Sequence, residues 1–200
     1  MTDTADVAIV GGGPAGAALA IRLADAGLQT VLFERRSNPA WRACGVFSSP
    51  LTRYRLADLG LEPRAIDALH RPISALDLQT TRGITCRIDY RHGWACGFDR
   101  VRLDGELLDR ARGRGVDVRM ASVVRGVQLS ERPRGLAAIT VSTTDSGAGA
   151  DARADAPRTF RARLVVGADG AASVVSRAAG VHRTSRFLAR MGITFHRRDP

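Results

Sequence analysis

The sequence predicts an α/β fold that opens on a parallel β-α-β unit, and three observations carry that prediction. An apolar run, Asp6-Val7-Ala8-Ile9-Val10, suits a buried parallel strand and leads directly into Gly11-Gly12-Gly13-Pro14-Ala15-Gly16. An alanine- and leucine-rich stretch then carries a helical spacing and stops at Gly27. A second apolar run, Thr30-Val31-Leu32-Phe33, ends on an acid, Glu34. At 200 residues and 44% hydrophobic the chain has enough apolar surface for a proper core, which excludes a largely disordered or collagen-like polymer.

Each part of this opening has a physical role. Pro14 suits the first turn of a helix, where a missing N–H is no loss. Leu19 and Leu23 stand at i, i+4 on one helical face, and Gly27 fits the left-handed residue that ends a helix. Gly11 permits the tight turn and Gly13 lets the backbone approach a pyrophosphate. Gly16, with Ala15, Ala17 and Ala18, lets the helix pack closely on the strands. A pyrophosphate would then rest on free N–H groups at the positive end of the helix. Glu34 lies eighteen positions past Gly16, where a carboxylate accepts hydrogen bonds from a ribose diol. The same carboxylate repels a 2′-phosphate, so the site does not suit NADP. Together these features predict a Rossmann-like dinucleotide-binding unit.

Charge and cysteine usage narrow the partners. The formal net charge is +10, and all thirty basic residues are arginine. Residues 1–34 hold only Arg22 against Asp3, Asp6, Asp25 and Glu34, so the cationic excess lies in the rest of the chain. It is spread through every later segment with few aromatics, which argues against a nucleic-acid interface. Cys44, Cys86 and Cys96 form no C-x-x-C pair and are odd in number, as expected in a reducing compartment. His70, His92, His182 and His196 show no i, i+4 pairing, so no metal site is expected. No G-x-S-x-G elbow is present. No basic signal region and no apolar run of membrane-span length occurs, and a cytoplasmic protein is expected.

Beyond Glu34 the chain does not continue as a simple alternation of strands and helices. Residues 35–50 read as an arginine-rich loop. Short helices are expected over 50–61 and 62–70, with Gly60 and Pro63 as punctuation. Ile73 to Thr81 and Ile84 to Tyr90, split by Arg82-Gly83, read as a β-hairpin. Asp99 is an N-cap candidate for a helix whose apolar stripe is Leu103, Leu107, Leu108 and Ala111, ending at Gly113 or Gly115. Strands are expected over 116–120, 122–129 and 136–143, with 144–157 as an exposed hairpin loop. Leu164-Val165-Val166 reads as a buried strand opening into Gly167-Ala168-Asp169-Gly170. Residues 187–195 read as a last strand.

Three motifs in this order resemble a known family. They are the Gly11–Gly16 turn with Glu34, the Arg100-x-x-Leu103-Asp104-x-x-Leu107 helix start, and the Gly167-Ala168-Asp169-Gly170-x-x-Ser173 segment. The chain resembles the para-hydroxybenzoate hydroxylase-like FAD enzymes, which include aromatic hydroxylases, flavin halogenases and geranylgeranyl reductases. The stretch Pro39 to Gly45, followed by Ser49-Pro50, is most similar to the reductase branch. The resemblance spans residues 5 to 180. It implies an α/β, Rossmann-like (GR2-type) FAD-binding domain over residues 1–180, with an inserted hairpin around 73–90. A partial antiparallel substrate-domain sheet would start at 181–200.

The resemblance also implies roles. Gly11, Gly13, Pro14, Ala15 and Gly16 would hold the pyrophosphate, and Glu34 the adenosine ribose, with Arg35 beside it. Arg42, Cys44 and Gly45 would form the turn near the flavin ring. Arg100 would approach the flavin or phosphate region, and Val124 would contact adenine through its backbone. Asp169 and Gly170 would lie beside the pyrophosphate and ribityl chain. The chemistry of these residue types agrees, since a diol needs a carboxylate and a diphosphate needs amide donors and an arginine. No catalytic acid or base stands out.

The implied activity is an FAD-dependent oxidoreductase with flavin reduced by NAD(P)H. It would be a monooxygenase or a double-bond reductase acting on an aromatic, polyketide or prenyl substrate. Two departures stand against the pattern. Ser176, with Arg177 one step later, occupies the position three residues past the motif serine where the family usually has arginine. No Gly-Asp-Ala segment occurs within the 200 residues. The expectation is therefore the first part of a larger enzyme, or a fold completed by a second polypeptide. The alternative is a non-catalytic or degenerate dinucleotide-binding half-enzyme.

Overall fold

The computed structural model describes residues 4–42, 47–90, 95–130, 135–143 and 156–183. In chain order the elements are β1 (Thr4–Val10), α1 (Pro14–Asp25), β2 (Thr30–Phe33), β3 (Phe47–Ser48), α2 (Leu51–Asp58) and α3 (Pro63–Leu69). Next come β4 (His70–Ile73), β5 (Ala75–Gln79), β6 (Thr85–Asp89), β7 (Ala95–Phe98) and α4 (Arg100–Gly113). The last are β8 (Asp117–Arg119), β9 (Ser122–Gln128), β10 (Ala137–Thr143), β11 (Arg158–Gly167) and α5 (Val174–Ala178). These divide into two compact units, residues 4–40 with 104–183 and residues 41–103.

The first unit is built on a six-stranded sheet in the order β8-β2-β1-β11-β10-β9. β8, β2, β1 and β11 run parallel, while β11, β10 and β9 form an antiparallel meander. β1 pairs on both sides, Val7 with Thr30 and Leu164, Val10 with Phe33 and Gly167. Val7, Ala8, Ile9 and Val10 are all buried, as an unbroken apolar run in a central parallel strand with both faces covered should be. Ala8, Val31 and Phe33 pack with Ile139, Val141, Phe160 and Ala162 of the meander strands. Phe33 and Phe160 meet edge to face at 5.4 Å, and the Arg119 guanidinium lies 5.8 and 4.9 Å from their ring centroids.

The helices follow the sequence with one informative difference. α1 buries Gly16, Ala17, Ala20 and Ile21, whereas Leu19 and Leu23 are half-buried. The small residues form the inner stripe because they allow the helix close to the sheet. α4 buries Leu103, Leu107, Leu108 and Ala111 as its pattern predicts. Its start is capped by Asp99, whose Oδ1 accepts from the N–H groups of Val101 (2.8 Å) and Arg102 (3.3 Å). Asp99→Ala should lower stability by about 1 kcal/mol, read as a lower denaturant midpoint at unchanged slope.

β11 corrects the expected short buried strand at 164–166. It begins six residues earlier, at Arg158, because Phe160 and Ala162 face inward between exposed Arg161 and Arg163. Leu164 is 54% exposed. β10 begins at Ala137, opposite Ala162, so Leu164 lies past the end of the meander. The expected loop at 144–157 joins β10 to β11, with 144–155 outside the described residues, as is the expected strand at 187–195.

In the second unit β3, β7 and β4 form an antiparallel sheet, and α2 and α3 bury Leu56, Ile66 and Leu69. β5 and β6 form a hairpin, with Gly83 in its turn at φ +81°. Leu76 faces Ile88 and Leu78 faces Cys86. On the alternate positions Arg87 bridges Asp77 and Asp89, and its pKa is raised by the Asp89 and Asp77 carboxylates.

Candidate functional site

The glycine turn sits where the carboxyl ends of β1 and β11 are fastened side by side. Ala168 N–H donates to Val10 O at 2.7 Å, and Gly11 N–H to Phe33 O at 2.8 Å. Gly11 is at φ +107°, and a Cβ there would lie 2.4 Å from Ala168 O. A Cβ on Gly16 would lie 2.0 Å from Gly11 O. Both positions need glycine because main chain passes where a side chain would stand. Gly13 is the N-cap of α1, in extended backbone with no side-chain cap, and Pro14 opens the helix. The start of the helix, its positive end, therefore carries no side-chain cap, and Ala15 there is exposed.

Glu34 is only 4% exposed and is held at both oxygens. Oε2 accepts from Gly12 N–H at 2.8 Å and Oε1 from Arg36 N–H at 3.1 Å. A carboxylate fixed in this way is the acceptor type that a ligand hydroxyl needs. The backbone beneath is pinned as well. Glu34 N–H donates to Arg119 O (2.9 Å), Ser122 N–H to Glu34 O (2.8 Å) and Ala121 N–H to Arg36 O (2.8 Å). Ala121 makes this turn at φ +51°. Gly12, Ala121 and Ser122 are residues that sequence reasoning passed over. Gly12 was visible inside the glycine run, but nothing local marks the β8–β9 turn as the anchor of Glu34.

Asp169 follows the end of β11. Its Oδ2 accepts from Val174 N–H at 2.7 Å, whereas Oδ1 is buried with no hydrogen-bond partner. Gly170 takes φ +83° and turns the chain away. Val124 lies in β9 opposite Val141, its side chain against the meander core. Gly11, Gly13, Gly16, Glu34, Asp169, Gly170 and Val124 all belong to the first unit, as does exposed Arg35. Arg42 and Arg100 are half-buried residues of the second unit, Arg100 as the first residue of α4. Cys44 and Gly45 lie outside the described residues. Arg177 donates to Ala172 O at 2.8 Å.

This arrangement fits a dinucleotide. It offers amide donors for a diphosphate, a fixed carboxylate for a ribose diol, and a buried acceptor, Asp169 Oδ1, that lacks a donor. A family model described as an FAD binding domain matches residues 4–200. The chain belongs to this family. It is 32% identical over 177 residues to the chloroplastic geranylgeranyl diphosphate reductase of Oryza sativa subsp. japonica, covering 87% of this chain and 36% of that protein. Among solved structures it is similar to the myxobacterial chondrochloren halogenase CndH (TM-score 0.73, 27% identity, 88% of this chain and 40% of that one). It is also similar to the anhydrotetracycline hydroxylase OxyS from Streptomyces rimosus (TM-score 0.70, 25% identity, 88% and 34%).

This chain spans little more than a third of that reductase's length. The expected resemblance and fold class hold: a GR2-type FAD-binding fold, with relatives among geranylgeranyl reductases and structural likeness to halogenases and hydroxylases. Among the described residues no cluster of metal-ligating side chains occurs, and no helix is long and apolar enough to cross a membrane.

Proposed function

We propose that this chain is the FAD-binding portion of an FAD-dependent oxidoreductase, with the ADP half of the cofactor held by the first unit. The observation that carries this reading is the Glu34 carboxylate, fixed by the amides of Gly12 and Arg36 beside the uncapped start of α1. Gly11, Gly13, Pro14, Ala15 and Gly16 would carry the pyrophosphate, Glu34 the ribose, and Asp169-Gly170 the diphosphate and ribityl side. Val124 would meet adenine through its backbone, with Arg35 nearby, and Arg42, Cys44, Gly45 and Arg100 would serve the flavin region. Residues 181–200 would begin the substrate domain. When bound, FAD supplies the redox chemistry, accepting and passing on a hydride equivalent from NAD(P)H. The chain's own residues orient it: amides neutralise phosphate charge, Glu34 holds the diol, and Asp169 accepts from a hydroxyl.

The 32% identity to geranylgeranyl diphosphate reductase supports reduction of a double bond in a prenyl-type substrate. The likeness to OxyS supports a second reading, oxygen-dependent hydroxylation of an aromatic or polyketide substrate. Oxygen consumption coupled to substrate separates the two, and neither coupled activity in FAD-loaded protein would favour a non-catalytic dinucleotide-binding module. A soluble cytoplasmic enzyme acting on a small molecule, alone or with a second chain completing the substrate domain, is part of the same proposal.

Ligand released from the purified protein and identified by mass spectrometry tests the cofactor assignment. FAD is the expected result, from the Asp169-Gly170 motif together with Glu34, which would repel the 2′-phosphate of NADP. Recovery of NADP without flavin would sink it.

A further inference from the structure

α5 has five residues, none of them fully buried, and is too short for helix propensity alone to hold it in place. Its seat over Gly167 and a set of hydrogen bonds hold it. At its start Ser173 Oγ accepts from Ser176 N–H at 3.0 Å. At its end Gly180, at φ +70°, donates to Arg177 O, and Val181 N–H donates to Ser176 O, both at 3.0 Å. This left-handed reversal brings His182 back onto the helix. His182 Nδ1 lies 3.2 Å from Ser176 Oγ, which is also 3.1 Å from Ser173 O. A hydroxyl has one hydrogen and a carbonyl only accepts. The Ser176 hydroxyl therefore donates to Ser173 O and accepts from the His182 Nδ1–H. The neutral Nδ1–H tautomer and the imidazolium both provide that donor.

The position of α5 matters upstream. Its first amide, Val174 N–H, holds Asp169 Oδ2 at 2.7 Å, and Asp169 Oδ1 is the buried acceptor without a partner. Over Gly167 the Val175 and Ser173 side chains close so tightly that a Cβ would lie 2.9 and 3.1 Å from them. Where α5 sits thus decides where Asp169 Oδ1 points.

We propose that His182, acting through Ser176, is a positioning residue for Asp169, holding α5 where it aims the Asp169 carboxylate at the bound dinucleotide. This rests on the FAD reading above, and two readouts on the full chain keep the two apart. The first needs no cofactor: amide hydrogen exchange at Val174 and Ser176. His182→Ala should accelerate both, and His182→Asn, whose amide nitrogen can replace Nδ1–H, should restore protection. The second is FAD titration followed by flavin fluorescence. Loss of one neutral hydrogen bond predicts about five- to tenfold weaker binding in His182→Ala. Ser176→Ala should lose as much, with no further loss in the double variant, and His182→Ala should have no effect in an Asp169→Asn background. Unchanged exchange in His182→Ala with normal FAD binding by the wild type overturns the positioning role alone. So does a loss of FAD affinity that persists undiminished in Asp169→Asn. A wild-type chain that does not bind FAD overturns the cofactor reading, and with it the part assigned to Asp169.

Discussion

Gly16→Ala should severely destabilise the first unit. The added methyl would lie 2.0 Å from Gly11 O, and the obstacle is the main chain of the glycine turn, which has no rotamer to change. Relief requires moving α1 away from β1, and α1 buries Ala17, Ala20 and Ile21 at that contact. Overpacking a rigid site costs about 3 kcal/mol or more, a large part of a typical domain's stability. Gly11→Ala should be similarly severe, since its Cβ would lie 2.4 Å from Ala168 O and its φ of +107° is foreign to alanine. Gly126→Ala is the control, because a Cβ there meets nothing within 4 Å. Thermal melts followed by circular dichroism should show a strongly lowered midpoint in the first two and an unchanged one in the third. A Gly16→Ala protein melting with the wild type would mean that the turn does not have the close packing described.

Glu34→Gln should leave the fold intact and weaken FAD binding about ten- to a hundredfold, equivalent to about 1.5–3 kcal/mol for a hydrogen bond to a charged group. The wild-type carboxylate accepts from Gly12 N–H and Arg36 N–H and has no donor of its own. A glutamine side chain must turn its NH2 toward one of these amides, donor against donor, and it loses the charge that attracts the ribose hydroxyls. Discrimination against NADP should shrink at the same time. Calorimetric titration with FAD, ADP and NADP reads both effects. An unchanged FAD affinity in a folded variant would show that Glu34 does not contact the ribose.

The opening unit was legible because its determinants are local. Thr30–Phe33 appears as a strand at the expected bounds, α1 starts at Pro14, and Asp99 caps α4. In each case neighbouring residues fix the backbone through φ limits, a cap or an apolar run that has no other use. The first part of β11 was not legible. Its inward Phe160 and Ala162 alternate with arginines, a pattern whose meaning depends on β10 arriving from an earlier stretch of chain. The i, i+4 spacing of Leu19 and Leu23 marked α1 as a helix, but which face turns inward was decided by the sheet, against which Gly16, Ala17, Ala20 and Ile21 are buried.

The sequence by itself determined the chemistry of the site: a glycine turn, a helix start without a cap, an acid after the second strand and an Asp-Gly after the Leu164-Val165-Val166 run. Tertiary structure decided the geometry. Glu34 is held by the amides of Gly12 and Arg36 and by a β8–β9 turn more than eighty residues away. Asp169 is set beside Gly11 only because β11 inserts next to β1, and its carboxylate is oriented by an amide of α5. The physical reason is range. Backbone conformation and charge are properties of a few adjacent residues, whereas the direction of a buried carboxylate is fixed by donors that the chain brings from elsewhere when its strands pair.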